Sequence, residues 1–326
     1  MTNFYVLCPG NSVTGGPELI HQFVDVINNQ GGSASILYYP FEDDFSIPYA
    51  YKNYNVKVTK YNDNFRKNST DVIVVPEVAT RYISLFKGKK VFIWWLSIDN
   101  YFKPTLSTTV GKIKYVIKKV IKHKSLPVKL TDMRDYGHLV QSYYAKTFLE
   151  NYGYQSLPLS DYLNENHLNQ DIDLQKKKNI ICYNPKKGVA VTDNLKNNYP
   201  NFTFKAIENM KAKQVSELLS ESKIYIDFGE HPGKDRIPRE AAMAKCVVIT
   251  GVKGSAKNKY DIEVPDKYKI EENSEVFINT VGELISDIFE NYEANLSDFT
   301  SYIEKIKKEK EVFQEQVCQF LSNENK

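Results

Sequence analysis

Tyr225-Ile-Asp-Phe-Gly-Glu-His-Pro-Gly-Lys-Asp-Arg-Ile-Pro-Arg-Glu-Ala-Ala-Met-Ala-Lys-Cys-Val-Val-Ile-Thr250 reads as an apolar strand, a polar loop, a short helix opened by proline, and a second apolar strand. Pro238 suits the first helical position, which puts Glu240 near the third. The amides of Arg239 and Glu240 would then point out of the helix end, where the dipole favours an anion. Lys234 and Arg236 place positive charge just ahead of that end, with His231 and Asp235 in the same loop. Gly229 and Gly233 let the backbone approach a ligand closely. The expectation is a diphosphate cradle that needs no metal.

The same alternation extends in both directions. Asn179–Tyr183, Phe202–Ile207 and Lys223–Phe228 read as strands, with helices over Val189–Asn198, Ala212–Ser220 and Pro238–Ala244. A long polar helix over Asn295–Leu321 closes the chain. In the first half, Asn3–Cys8, Ser33–Tyr39, Asp71–Val75 and Lys90–Leu96 are apolar runs of the kind parallel strands show when covered on both faces. His138–Ser142 followed by a helix over Tyr143–Asn151 looks like the last strand-helix step of that half. The polar stretch 161–178 is the expected linker. The reading is therefore α/β, with two Rossmann-like doubly wound domains over 1–165 and 175–294. Residues 295–326 form a C-terminal helix that crosses back to the first domain.

Bulk properties narrow the function. At 326 residues the chain is long enough for two cores without disulfides or metals. A net charge of +3 gives no global case for a nucleic-acid partner. Cys8, Cys182, Cys246 and Cys318 have no metal-ligand spacing, and three of them lie in apolar runs, as buried thiols of a reduced cytoplasmic protein do. No secretory signal pattern opens the sequence, and its longest apolar runs, such as 91–96, are too short to span a bilayer.

Pro238-Arg-Glu-Ala-Ala-Met-Ala-Lys-Cys-Val-Val-Ile249 resembles the donor-site signature of retaining GT-B enzymes such as glycosyltransferase family 4, in which a Glu opens an Ala- and Met-rich helix ahead of a Val/Ile strand. The resemblance implies the GT-B fold, a nucleoside diphosphate sugar as donor, and Glu240 on the ribose hydroxyls. By the same resemblance Lys186-Lys187-Gly188 contacts the donor diphosphate, and Gly15-Gly16 approaches the transferred sugar from the first domain. The sequence departs from the family at Pro232, eight residues before Glu240, where the family carries another Glu. Glu230 and His231 are the neighbouring substitutes.

The expected donor-binding set is thus Gly15, Gly16, Lys186, Lys187, Gly233, Lys234, Asp235, Arg236, Pro238 and Glu240. His231, facing the donor sugar or its phosphate, is one catalytic candidate. Asp161, with Asp99 and Asp135, is a candidate for deprotonating the acceptor hydroxyl. Blander readings stand beside these: Glu240 as a first-turn carboxylate on a helix dipole, and Lys186 and Lys187 as solvated turn residues.

The expected activity is metal-independent transfer of a sugar, with no cofactor, to a glycan or lipid-linked glycan in surface-polysaccharide or glycoconjugate synthesis. The alternative is a GT-B-like partner subunit that binds nucleotide or glycan without catalysis. Asp171-Ile-Asp173 matches a metal-binding Asp-x-Asp pattern but follows a polar linker rather than the strand that motif requires. Residues 112–124 form an amphipathic pattern with six lysines opposite a branched apolar face. Such a helix suits either a protein core or the inner face of an anionic membrane.

Overall fold

The computed structural model describes residues 2–62, 70–102 and 127–324. The lysine-rich stretch 112–124 lies outside the described residues. The chain divides into two compact units, one of residues 1–161 and 311–326, the other of residues 162–310.

The first unit is built on a seven-stranded sheet in the order β3-β2-β1-β4-β5-β6-β7, with every pair parallel. The strands are β1 (Asn3–Pro9), β2 (Ser33–Tyr39), β3 (Lys57–Val58), β4 (Val72–Pro76), β5 (Lys90–Trp95), β6 (Gly137–Val140) and β7 (Leu157–Pro158). All of β4 and all of β5 beyond Lys90 are buried, which is why these strands are continuous apolar runs. Helix α1 (Gly15–Asn29) turns Leu19, Ile20, Phe23, Val24 and Ile27 into the core at helical spacing. Helices α2 (Ile98–Phe102) and α3 (Tyr143–Asn151) follow β5 and β6. After the step through α3 a further short strand, β7, pairs with β6.

The second unit has a four-stranded parallel sheet ordered β11-β10-β8-β9. Its strands are β8 (Lys178–Tyr183), β9 (Thr203–Ala206), β10 (Ser222–Asp227) and β11 (Val247–Thr250). Around them run α4 (Glu165–Leu168), α5 (Val189–Asn198), α6 (Ala212–Glu221), α7 (Ile237–Met243), α8 (Phe277–Glu290) and α9 (Tyr292–Ser297). The stretch expected as a plain linker contains α4 and a single 3-10 turn at Leu174–Lys176.

The expected terminal helix is two helices, α9 and α10 (Thr300–Glu324). They part at Asp298–Phe299, where Phe299 turns fully inward onto the Tyr268 ring, 4.9 Å between centroids. The first part of α10 belongs to the second unit and its last part to the first. There Phe320 packs against Phe4, Phe23 and Phe92 at 5.6, 5.8 and 5.0 Å.

Lys177 ties the second unit together from beneath. Its buried ammonium donates to the carbonyls of Leu219 (2.9 Å), Ser222 (2.7 Å) and Ala244 (2.5 Å), which end α6 and α7. Cations are stabilising at such helix ends.

Candidate functional site

In the second unit β8 neighbours both β9 and β10, so the strand order reverses between β8 and β10. Ligands of open α/β sheets bind in the crevice outside the carboxyl ends of the strands at such a reversal. The two loops leaving those ends carry most of the expected site: residues 184–188 after β8 and 228–236 after β10.

The loops meet backbone to backbone. Gly188 has φ +52°, and a Cβ there would lie 2.1 Å from the Phe228 carbonyl oxygen. Gly229, at φ +110°, would place a Cβ 2.7 Å from the Gly188 nitrogen. Only glycine meets both demands, since L side chains rarely tolerate positive φ. The Gly229 amide donates to Glu272 Oε1 at 2.6 Å, and Glu272 is in turn paired with Lys253 at 2.5 Å. On the other side the His231 carbonyl accepts the Ser255 amide at 2.9 Å, and the Ser255 hydroxyl donates to the Gly233 carbonyl at 2.6 Å.

Lys187 is the cation that reaches between the loops. Its ammonium is bonded to Asp235 and lies 3.9 Å from Asp227, the last residue of β10. His231 is wholly buried, with Nδ1 2.7 Å from Asp235 Oδ2 and Nε2 3.1 Å from the Asp227 carbonyl oxygen. Tyr225 donates its hydroxyl to Asp227 Oδ2 at 2.9 Å. Burial pushes the Asp227 carboxyl up, against the pull of His231 and Lys187. Asp235 is also penalised by burial, but the neighbouring His231 ring and Lys187 ammonium hold it below the usual range. Burial lowers the His231 imidazole, and the close Asp235 carboxylate together with Asp227 more than reverses this.

Lys234 and Arg239 face a different partner. Glu309 of α10 accepts Lys234 Nζ at 2.8 Å on one oxygen and Arg239 Nη1 at 2.7 Å on the other. Arg239 also donates to the backbone carbonyls of Asp235 (3.2 Å) and Lys234 (3.4 Å), so it braces the loop from below.

At the helix start the geometry differs from expectation. Arg236 is already in right-handed helical conformation and α7 begins at Ile237, which makes Pro238 its second residue and Glu240 its fourth. The Glu240 amide closes the first turn on the Arg236 carbonyl at 2.9 Å, so it is not available to a ligand. Its carboxylate lies 3.7 Å from Arg236 Nε and 3.6 Å from His167 Nε2 of α4.

The second unit thus brings together Lys187, His231, Gly233, Lys234, Asp235, Arg236, Pro238 and Glu240, with the exposed Lys186 on the adjoining turn. Gly15, Gly16 and Asp161 belong to the first unit. Gly15 and Gly16 open α1, and Asp161 is buried. Asp99 accepts the Tyr144 hydroxyl at 3.1 Å, and Asp135 is exposed. Sequence reasoning missed Asp227, Glu272 and Glu309. A carboxylate ending an apolar strand was a usable signal for Asp227; nothing local marks the other two.

Two parallel α/β units of this kind define the GT-B fold. Along nearly its whole length the chain is similar to a glycosyltransferase from Rickettsia africae, at a TM-score of 0.62 and 13% identity, covering 99% of this chain and 97% of that one. It is similar to sucrose-phosphate synthase from Thermosynechococcus elongatus, at 0.66 and 10%, covering 99% of each. HepE from Anabaena, solved in complex with UDP-glucose, matches at 0.62 and 11%, covering 98% and 99%. At such identities the fold is what is shared. No protein-family model matches the sequence, and no curated protein does.

Proposed function

We propose that this chain is a glycosyltransferase that moves a sugar from a nucleoside diphosphate sugar to a hydroxyl of a glycan or lipid-linked glycan. The observation that carries the reading is the position of Lys187 at the β8/β10 reversal, beside a glycine-built backbone contact. Lys187 and Arg236 would stabilise the departing diphosphate, which is where negative charge grows during transfer. Glu240 would hold the ribose hydroxyls. Orienting donor and acceptor supplies much of the rate in such a reaction.

The reaction is proposed to need no metal. Asp227, His231 and Asp235 each offer one ligand atom within 4.8 Å of the others, a grouping that suits a divalent cation. The Lys187 ammonium already serves as the cation between those two carboxylates. Glycan assembly on surface polysaccharide or a glycoconjugate is the proposed setting.

The test is nucleotide release from UDP-, ADP- and GDP-sugars by the full chain. Glu240→Ala and Arg236→Ala should each lose donor turnover while keeping the circular-dichroism spectrum of the parent. Wild-type rates in both variants would reject this site. A chain that binds nucleotide yet releases none from any sugar would be the partner-subunit alternative, which Pro232 in place of the family's Glu favours.

A further inference from the structure

The loop after β10 carries an arrangement that a diphosphate cradle does not need. Asp227, His231 and Asp235 stand at every fourth position, and their ligand atoms lie within 4.8 Å of one another. The Asp227 backbone carbonyl, 3.1 Å from His231 Nε2, can only accept, so Nε2 carries the ring hydrogen. Nδ1 is buried and has no hydrogen-bond partner, although it lies 2.7 Å from Asp235 Oδ2. The neutral imidazole, the form that binds metals, thus turns a bare lone pair toward a carboxylate oxygen. A cation between the two atoms relieves that contact. Asp227 Oδ1 is a second buried atom without a hydrogen bond. It lies 3.9 Å from the same Lys187 ammonium that holds Asp235 Oδ2.

We infer that Asp227, His231 and Asp235 form a site for one divalent transition-metal ion, Zn²⁺ foremost, which takes the place of the Lys187 ammonium. The groups behind the three ligands are tied down as the outer partners of metal ligands are. Tyr225 donates to Asp227 Oδ2 at 2.9 Å, and the Asp227 carbonyl fixes the ring through Nε2. The Ser255 amide holds the His231 carbonyl at 2.9 Å, and Arg239 holds the Asp235 carbonyl at 3.2 Å. One imidazole and two carboxylates suit Zn²⁺ or Co²⁺ better than Mg²⁺, which keeps its waters and prefers oxygen. The ion and Lys187 compete for the same two oxygens. The Lys187 and Asp235 side chains are each 20% exposed, so the ammonium can withdraw to solvent and the ion can enter by the same route. Asp235 then closes on an ion that holds its ligands at about 2.0–2.2 Å. The inference goes beyond the donor-site reading, and no step of sugar transfer is routed through the ion. What the ion does to the site is release the lysine which that reading assigns to the diphosphate.

The experiment is calorimetric titration of the untagged full chain with ZnCl₂ at neutral pH, without nucleotide, alongside visible absorption with CoCl₂. The expected result is one ion per chain and the cobalt absorption of a nitrogen–oxygen site, both lost in His231→Gln and in Asp227→Asn. Lys187→Met is the decisive variant. It should bind Zn²⁺ about tenfold more tightly, because no hydrogen bond to a charged group has to be broken first. An incidental surface site would not respond to Lys187 in this way. Absence of Zn²⁺ binding in both the parent and Lys187→Met overturns the inference. Binding that survives both ligand variants, or that is unchanged or weakened in Lys187→Met, overturns it too. Should His231→Gln fail to fold by circular dichroism, Asp235→Asn carries the same prediction at the partly exposed ligand. These outcomes are read without nucleotide, so they stand apart from UDP binding, which tests the donor-site reading.

Discussion

Arg239 and Glu309 stand 70 residues apart in sequence and 2.7 Å apart in the fold, with the guanidinium wholly buried. The same carboxylate takes Lys234, so one anion is shared by two cations of the second unit. Removing one partner of a buried pair leaves an uncompensated charge and destabilises by about 3–5 kcal/mol. Glu309→Ala should therefore lose stability on that scale in urea denaturation of the full chain, and Glu309→Gln less. A loss below ~1 kcal/mol in the alanine variant would show that the pair is solvated.

Lys177 offers a comparable test away from the site. Among the described residues its three carbonyl partners have no other cation, and Met has nearly the same shape without the charge. Hydrogen bonds to charged groups contribute roughly 1.5–3 kcal/mol. Lys177→Met should lower the thermal midpoint clearly while leaving the first unit's near-ultraviolet tryptophan signal intact, since both tryptophans lie there. An unchanged midpoint would contradict the assigned role.

Glu77 makes stability pH-dependent. It is buried at the carboxyl end of β4 and accepts the Leu96 amide at 2.9 Å, and burial raises its carboxyl from 4.5 to about 8 against those amide bonds. Between these values the folded chain keeps a proton that the unfolded chain releases. Stability is therefore fully present below pH 4.5 and is lost as pH rises toward 8. Glu77→Gln should flatten this slope in denaturation measured from pH 5 to 8. An identical slope in the variant would assign it to other groups.

Gly188→Ala tests the loop contact. Positive φ and a 2.1 Å approach to the Phe228 carbonyl act together, and strained backbone of this kind costs of order 1–3 kcal/mol. The variant should fold with reduced stability and bind UDP and ADP at least tenfold more weakly. Wild-type affinity would mean that the two loops tolerate separation.

Much of this architecture was legible because β4 and β5 are covered on both faces, which forces Val72–Pro76 and Val91–Trp95 into unbroken apolar runs. Helix α8 was harder to see. Phe277, Val281, Ile285 and Ile288 keep helical spacing, but Gly282 interrupts a helical pattern, and its reason is tertiary: a Cβ there would strike the Tyr199 ring at 2.0 Å. The loop between β10 and α7 was legible as a cluster of charged residues, whereas the pairing within it was not. Nothing near Lys234 announces that its partner is Glu309, set in a charge-rich helix where each carboxylate looks alike.

The return of α10 has a consequence for how the polypeptide is made. Phe320 completes an aromatic cluster with Phe4, Phe23 and Phe92, yet it lies six positions from the final residue. On the ribosome, residues 162–310 can assemble their core while the opening segment still waits for its closing piece. The part synthesised first is thus the part finished last, and nascent chains stalled before Phe320 should remain protease-sensitive in their first 161 residues.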